Sequence, residues 1–161
     1  MPLDTLENTL VHEMSDLLSA EKQFSKALTK VKNNANSELV KELAATHFEE
    51  TQGQIEVLLQ AFEALGQKPE KMVCEAAKGI CEEADSTLKE EKPKGLIKDV
   101  VLLASSARVE HYEIAGYSSA IALSKALKKN QVTKLLQQIL KQELAAAKKV
   151  EAAVSTLLSG A

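Results

Sequence analysis

The stretch Leu96–Ile121, LIKDVVLLASSARVEHYEIAGYSSAI, decides the fold. Its apolar residues recur three and four apart: Leu96, Val100, Leu103, Ala107, then Ile114, Tyr117 and Ile121. Residues at these spacings share one face of an α-helix, so this face is a buried stripe. Glu110 stands in the middle of it, where Leu or Val belongs. Three further segments repeat the pattern. Glu21 interrupts Leu6, Leu10, Met14, Leu17, Phe24, Leu28 and Val31. Glu50 interrupts Leu39, Leu43, His47, Gln54, Val57, Ala61 and Leu65. Glu143 interrupts Val132, Leu136, Ile139, Ala146, Val150, Ala153 and Leu157. An unpaired buried carboxylate is costly unless it keeps its proton. No Lys or Arg lies on any of the four stripes to pair with these groups.

The boundaries follow from caps and breakers. Asp4 reads as the first N-cap, with Glu7 three residues on, and the helix runs to about Lys32. Asn33–Asn36 form a turn, with Asn36 or Ser37 capping a second helix that reaches Leu65 before Gly66. Pro69 opens a shorter crossover helix, which buries Met72, Val73, Ala76, Ala77, Ile80 and Ala84. Pro93 and Gly95 end the crossover. The next long helix runs from about Leu96 to Lys129, Asn130 breaks it, and the last runs to about Leu158. Lys128 and Lys129 read as cations favoured by a helix C-terminus. The expectation is all-α: two long antiparallel hairpins joined by a crossover long enough to make the second and third long helices parallel. That is the ferritin-like up-down-down-up four-helix bundle, with an additional short helix in the crossover and a single domain across 1–161. At about 1.5 Å rise per residue, the four central glutamates fall in one layer of the bundle.

Composition limits the function classes. The chain has 161 residues, a net charge of −3 and a pI near 5.7, which gives no basic face for nucleic acid. No apolar run approaches a membrane span, and the N-terminus has no secretory pattern, so a cytoplasmic location is expected. Cys74 and Cys81, seven apart on one expected helix, are about 10 Å apart and read as reduced packing residues.

Four carboxylates carry about −4, and two divalent cations about +4 would neutralise them. Around the glutamates, His47 lies three before Glu50, Glu113 three after Glu110, and Gln54 and Tyr117 one and two turns from their glutamates. The expected metal ligands are Glu21, Glu50, Glu110, Glu143, Glu113 and His47, with Gln54 and Tyr117 hydrogen-bonding to them. An oxygen-rich set suits Fe or Mn rather than Zn or Cu.

The strings Ser19–Gln23, His47–Gln54 and Val109–Tyr117 resemble the YciE/YciF family of bacterial ferritin-like stress proteins, of the rubrerythrin and manganese-catalase kind. The resemblance covers nearly the whole chain, including Met72–Cys74. It implies a ferritin-like bundle, a homodimer and a dinuclear Fe or Mn centre, with H2O2 or O2 as the small oxidant in a stress response. The activity expected is that of a catalase, peroxidase or ferroxidase, with no catalytic group beyond the metal ligands. The chain departs from the broader di-iron pattern: Gly53 and Ala146 stand where Glu-x-x-His would place histidines, and Ala147 where an acidic residue is usual. The alternative is a non-catalytic dimeric helical scaffold with a degenerate metal site.

Overall fold

The computed structural model of the chain describes residues 2–160. Five helices make up the fold, and no strand occurs among the described residues. They are α1 (Leu6–Asn34), α2 (Glu38–Leu65), α3 (Glu75–Glu90), α4 (Gly95–Ala126) and α5 (Asn130–Ser159). α1 packs on α2 and α4, and α5 packs on α4 and α2. Gln52 of α2 donates to Ser25 of α1 at 2.7 Å, and Lys149 of α5 donates to Glu50 of α2 at 3.0 Å. α2 and α4 begin at the same end, where the Asp99 carboxylate accepts the Asn36 and Ser37 backbone N–H groups at 2.7 and 2.8 Å.

Two apolar clusters fill the ends of this arrangement. One joins Leu10, Met14, Leu17, Leu58, Leu136 and Ile139; the other joins Val40, Leu102, Leu103, Val150 and Ala153. A third lies under α3, where Ala20, Phe24, Cys74, Ala77 and Val109 meet. Gly116 marks a close approach of α1 and α4, since a Cβ there would lie 2.7 Å from Leu17 Cδ2. Between the two end clusters lies a polar layer.

Several boundaries differ from the sequence expectations. Thr5, not Asp4, caps α1: its backbone is extended and its hydroxyl accepts Asn8 N–H at 3.0 Å, while Asp4 accepts the Asn8 side chain. Ser37 holds the N-cap position of α2 without a side-chain cap, and Asp99 serves that end from α4. Asn130 starts α5 rather than breaking α4. The turn is Leu127–Lys129, with Lys128 at φ 56°, so these lysines form the turn and Lys129 reaches Glu7 at 3.8 Å. Gly66 ends α2 in the left-handed conformation, as expected of a C′ glycine.

The crossover differs most. Pro69 lies outside α3, which begins only at Glu75, where Cys74 Sγ accepts Ala77 N–H at 3.3 Å. Ser15 and Ser19 of α1 accept the backbone N–H groups of Glu70 and Cys74, both at 2.9 Å, and Gln23 donates to the Cys74 carbonyl at 3.1 Å. These side chains hold the segment extended along α1, which satisfies backbone groups a helix would have paired. Of the expected apolar face, Ala77 is buried, Ile80 and Ala84 are half-buried, Ala76 is exposed and Val73 is 57% exposed. Both cysteines are free; Cys74 is buried and caps α3 rather than lying within it.

Candidate metal centre

The polar layer is built from four helices. Glu21 enters from α1, His47 and Gln54 from α2, Glu110, Glu113 and Tyr117 from α4, and Glu143 from α5. All seven residues are at most 5% exposed. One potential ligand atom from each of His47, Glu110, Glu113 and Glu143 lies within 4.8 Å of the others. His47 Nε2 faces Glu110 Oε1 at 3.2 Å. Tyr117 donates its hydroxyl to Glu21, and Gln54 donates its amide to Glu143. Five buried oxygens accept no hydrogen bond from a donor among the described residues: Glu21 Oε2, Gln54 Oε1, Glu110 Oε2, Glu113 Oε1 and Glu143 Oε2. Orphaned acceptors are rare in folded proteins, and five in one layer could accept either shared protons or a cation.

The electrostatics agree. Desolvation, reinforced by the charge of Glu143, pushes the Glu110 carboxyl up to about 10. The same two causes push Glu21 up to about 8, although the Tyr117 hydrogen bond works the other way. Burial and then the neighbouring carboxylates hold Glu113 well above the usual range. Burial also raises the Tyr117 phenol, as do Glu21 and Glu113. With no cation in the layer, these groups keep their protons; a divalent ion would take the protons' place.

Glu50 does not join the buried layer. Its side chain is 28% exposed, at the edge of the layer, with Lys149 on one oxygen and His47 Nδ1 at 3.3 Å from the other. Burial acts to raise its pKa, but the Lys149 ammonium and His47 prevail and lower it. The inward face of α2 is offset from the expected stripe: Val40, Ala44, His47, Thr51, Gln54 and Leu58 are buried, whereas Leu39 is 38% exposed. Lys149 lies off the α5 stripe and reaches Glu50 from the side, which the stripe pattern does not reveal. Gly53 is exposed with open space around it, so a histidine there would face away from the layer. Ala146 and Ala147 are buried and offer no donor. His111 is exposed and points at the Ala107 carbonyl, outside the layer. Tyr112 donates to Asp16 at 2.6 Å, 2.9 Å from Cys74 Sγ, and its ring meets Phe24 edge-on.

Two cavities touch the layer. A void of about 20 Å³ lies against His47, Glu50 and Glu110, room for about one water-sized molecule. A larger cavity beneath α3 ends at Glu110.

A helical protein with a buried, carboxylate-rich candidate metal layer is the class these features define. Residues 5–159 match the family described as "Domain of unknown function (DUF892)", and the chain belongs to that family. Protein YciF of Escherichia coli (strain K12) is 37% identical over 146 residues, which is 90% of this chain and 87% of YciF. The crystal structure of YciF, described as a stress protein, superposes with a TM-score of 0.94 at 34% identity, covering 98% of this chain and 99% of that one. YcfI of Rhodopseudomonas palustris, a candidate structural protein, superposes with a TM-score of 0.89 at 37% identity, covering 94% and 97%. A protein of Xanthomonas campestris pv. campestris shares the fold at a TM-score of 0.71 and 20% identity, covering 96% of each chain. No helix among the described residues is long and apolar enough to cross a membrane.

Proposed function

We propose that the chain is a ferritin-like up-down-down-up four-helix bundle, one domain across residues 1–161, whose buried layer holds two Fe or Mn ions. It works as a cytoplasmic homodimer handling H2O2 or O2 under stress. The convergence of five partnerless buried oxygens carries this reading. The donor set fits the ions: four buried carboxylates and one imidazole are hard to borderline ligands, and their combined charge of about −4 matches two divalent cations.

Glu21, Glu110, Glu113, Glu143 and the Nε2 atom of His47 would hold the ions. Glu50 then has a different part from a ligand. Its oxygen 3.3 Å from Nδ1 accepts that N–H and fixes which His47 nitrogen faces inward, the usual arrangement behind a metal-bound histidine. Tyr117 and Gln54 orient Glu21 and Glu143 in the same way. When bound, Fe or Mn supplies Lewis acidity and one-electron redox chemistry to a small oxidant. The Leu, Val and Ile clusters on either side exclude water, and the 20 Å³ void restricts the site to a small reactant. The relative described as a stress protein supports the physiological part. Exposed Leu39, Leu59, Ile97 and Leu144 supply candidate surface for a second copy.

Purified metal-loaded protein should consume H2O2 or oxidise Fe(II) well above a Glu110→Ala control. Equal rates for the two proteins would end the redox reading. A second reading, a non-catalytic dimeric scaffold, draws on the absent histidines at Gly53 and Ala146 and on the R. palustris relative's description. It expects a melting temperature that does not move on chelation.

A further inference from the structure

The cavity beneath α3 has the features of a binding site in its own right. Its volume is about 330 Å³, at the lower end of the range for small-molecule sites. Phe24 and Leu28 of α1, with Leu102 and Val109 of α4, form an apolar floor, and all four are less than 10% exposed. The half-buried side chains of Ile80 and Leu88 form the α3 side. The inner end reaches Glu110.

The mouth is polar and unevenly charged. Exposed Lys26, Lys30 and Lys78 line it beside Glu82 and Asp85. Lys30 pairs with Asp85, and Lys78 with Glu75. Lys26 and Glu82 make no ion pair among the described residues, and three lysines against two acids leave the mouth with a small excess of positive charge. An apolar cleft whose mouth carries a small positive excess, with Lys26 unpaired, suits a molecule with an aliphatic tail and one negative charge. A highly charged anion would be repelled by Glu82 and Asp85, and a cleft of about 330 Å³ is too small for a peptide of more than a few residues. The cover is also light: within α3 only Ala77 is fully buried, so a small shift of α3 admits a ligand without unfolding the long helices.

We propose that this cavity binds a medium-chain aliphatic carboxylate, with its tail on the Phe24–Leu28–Val109 floor and its head at Lys26. The binding requires no metal and does not rest on the redox reading. A bound tail would end beside Glu110, so occupancy would also control what reaches the polar layer from this side.

The test is calorimetric titration of chelator-treated full-length protein with decanoate below its micelle concentration, beside methyl NMR. Saturable one-site binding is expected, with shifts at the Leu28, Ile80, Leu88 and Val109 methyls. Ala27→Trp, which puts an indole into the cavity, should weaken binding at least tenfold. Lys26→Glu, a surface change that leaves the fold intact, should weaken decanoate severalfold and leave decanol unaffected. No saturable binding to the wild type overturns the proposal. So does decanoate binding that survives Ala27→Trp unchanged in a folded variant. Equal affinity for decanoate and decanol, with no effect of Lys26→Glu, overturns the assignment of a carboxylate ligand.

Discussion

Asp99 and Glu113 are acidic residues of the same helix, α4, and are buried to within about 1% of each other, yet their surroundings are opposite. Asp99 lies where α2 and α4 begin, and both its oxygens accept backbone N–H groups. Glu113 lies in the central layer among other carboxyls, with one oxygen unpartnered. A buried carboxylate that is fully hydrogen-bonded holds structure together. One that faces like charges and an empty hydrogen-bond position costs stability and persists for a ligand. Burial alone does not separate a structural acid from a candidate ligand; the partners do.

Metal binding should show the largest difference between the two regions. Glu113→Leu should weaken Fe or Mn binding at least a hundredfold, measured by competition with a chelator of known affinity, whereas Asp99→Ala should leave affinity within about threefold. Stability should move in opposite directions. Asp99→Ala orphans two N–H groups and should cost about 3 kcal/mol in urea unfolding, with or without metal. Glu113→Leu replaces a buried uncompensated carboxyl with a hydrocarbon side chain and should stabilise the metal-free protein by about 1–4 kcal/mol. A loss of stability there would show that the layer is a structural polar network.

The pH dependence should follow the layer alone. Glu21 and Glu110 have pKa values of about 8 and about 10 in the fold, above the ordinary glutamate value they would regain on unfolding. The fold therefore retains protons that the unfolded chain has released. Their contribution is fully present below about pH 4.5 and is lost as pH rises through 8 and then 10. The metal-free protein should melt at progressively lower temperature from pH 5 to pH 9, with a slope on the order of 1.4 kcal/mol per unit for each retained proton. Metal affinity should rise over the same window, since binding displaces those protons. A flat profile for the metal-free protein would show that the carboxyls are solvated.

The smallest effect belongs to the edge of the layer. Lys149→Ala removes a partner that is 46% exposed and should change stability by no more than about 0.5 kcal/mol. Glu50→Gln should lower metal affinity about tenfold, less than Glu113→Leu, if Glu50 orients His47 rather than binding metal itself.

The helices and most of the layer were legible in the sequence because both obey the 3.6-residue period. Glu21, Glu110 and Glu143 lie on the buried faces of their stripes; Glu113, one turn from Glu110, and Tyr117, two turns from it, join them, as do His47 and Gln54 of α2. Glu50 sits at the edge of the layer because the buried face of α2 is centred on Val40, Ala44 and Leu58, one step round from the stripe through Leu39 and Leu43. The crossover departs from its expected helix for a different reason: its conformation is set by distant side chains, the serines of α1, and no local period records them. Their regular spacing at Ser15, Ser19 and Gln23 was the available signal. Asp99 was likewise invisible as a cap, because its partners are more than sixty residues away in the chain.

The most direct test of the central claim is inductively coupled plasma mass spectrometry on protein purified without chelators, beside a Glu110→Gln, Glu143→Gln double variant of nearly the same shape. The account predicts about two Fe or Mn per wild-type chain and none above background in the variant. Wild-type protein that stays metal-free after reconstitution with Fe(II) and Mn(II), or a variant that retains the same metal content, would contradict it.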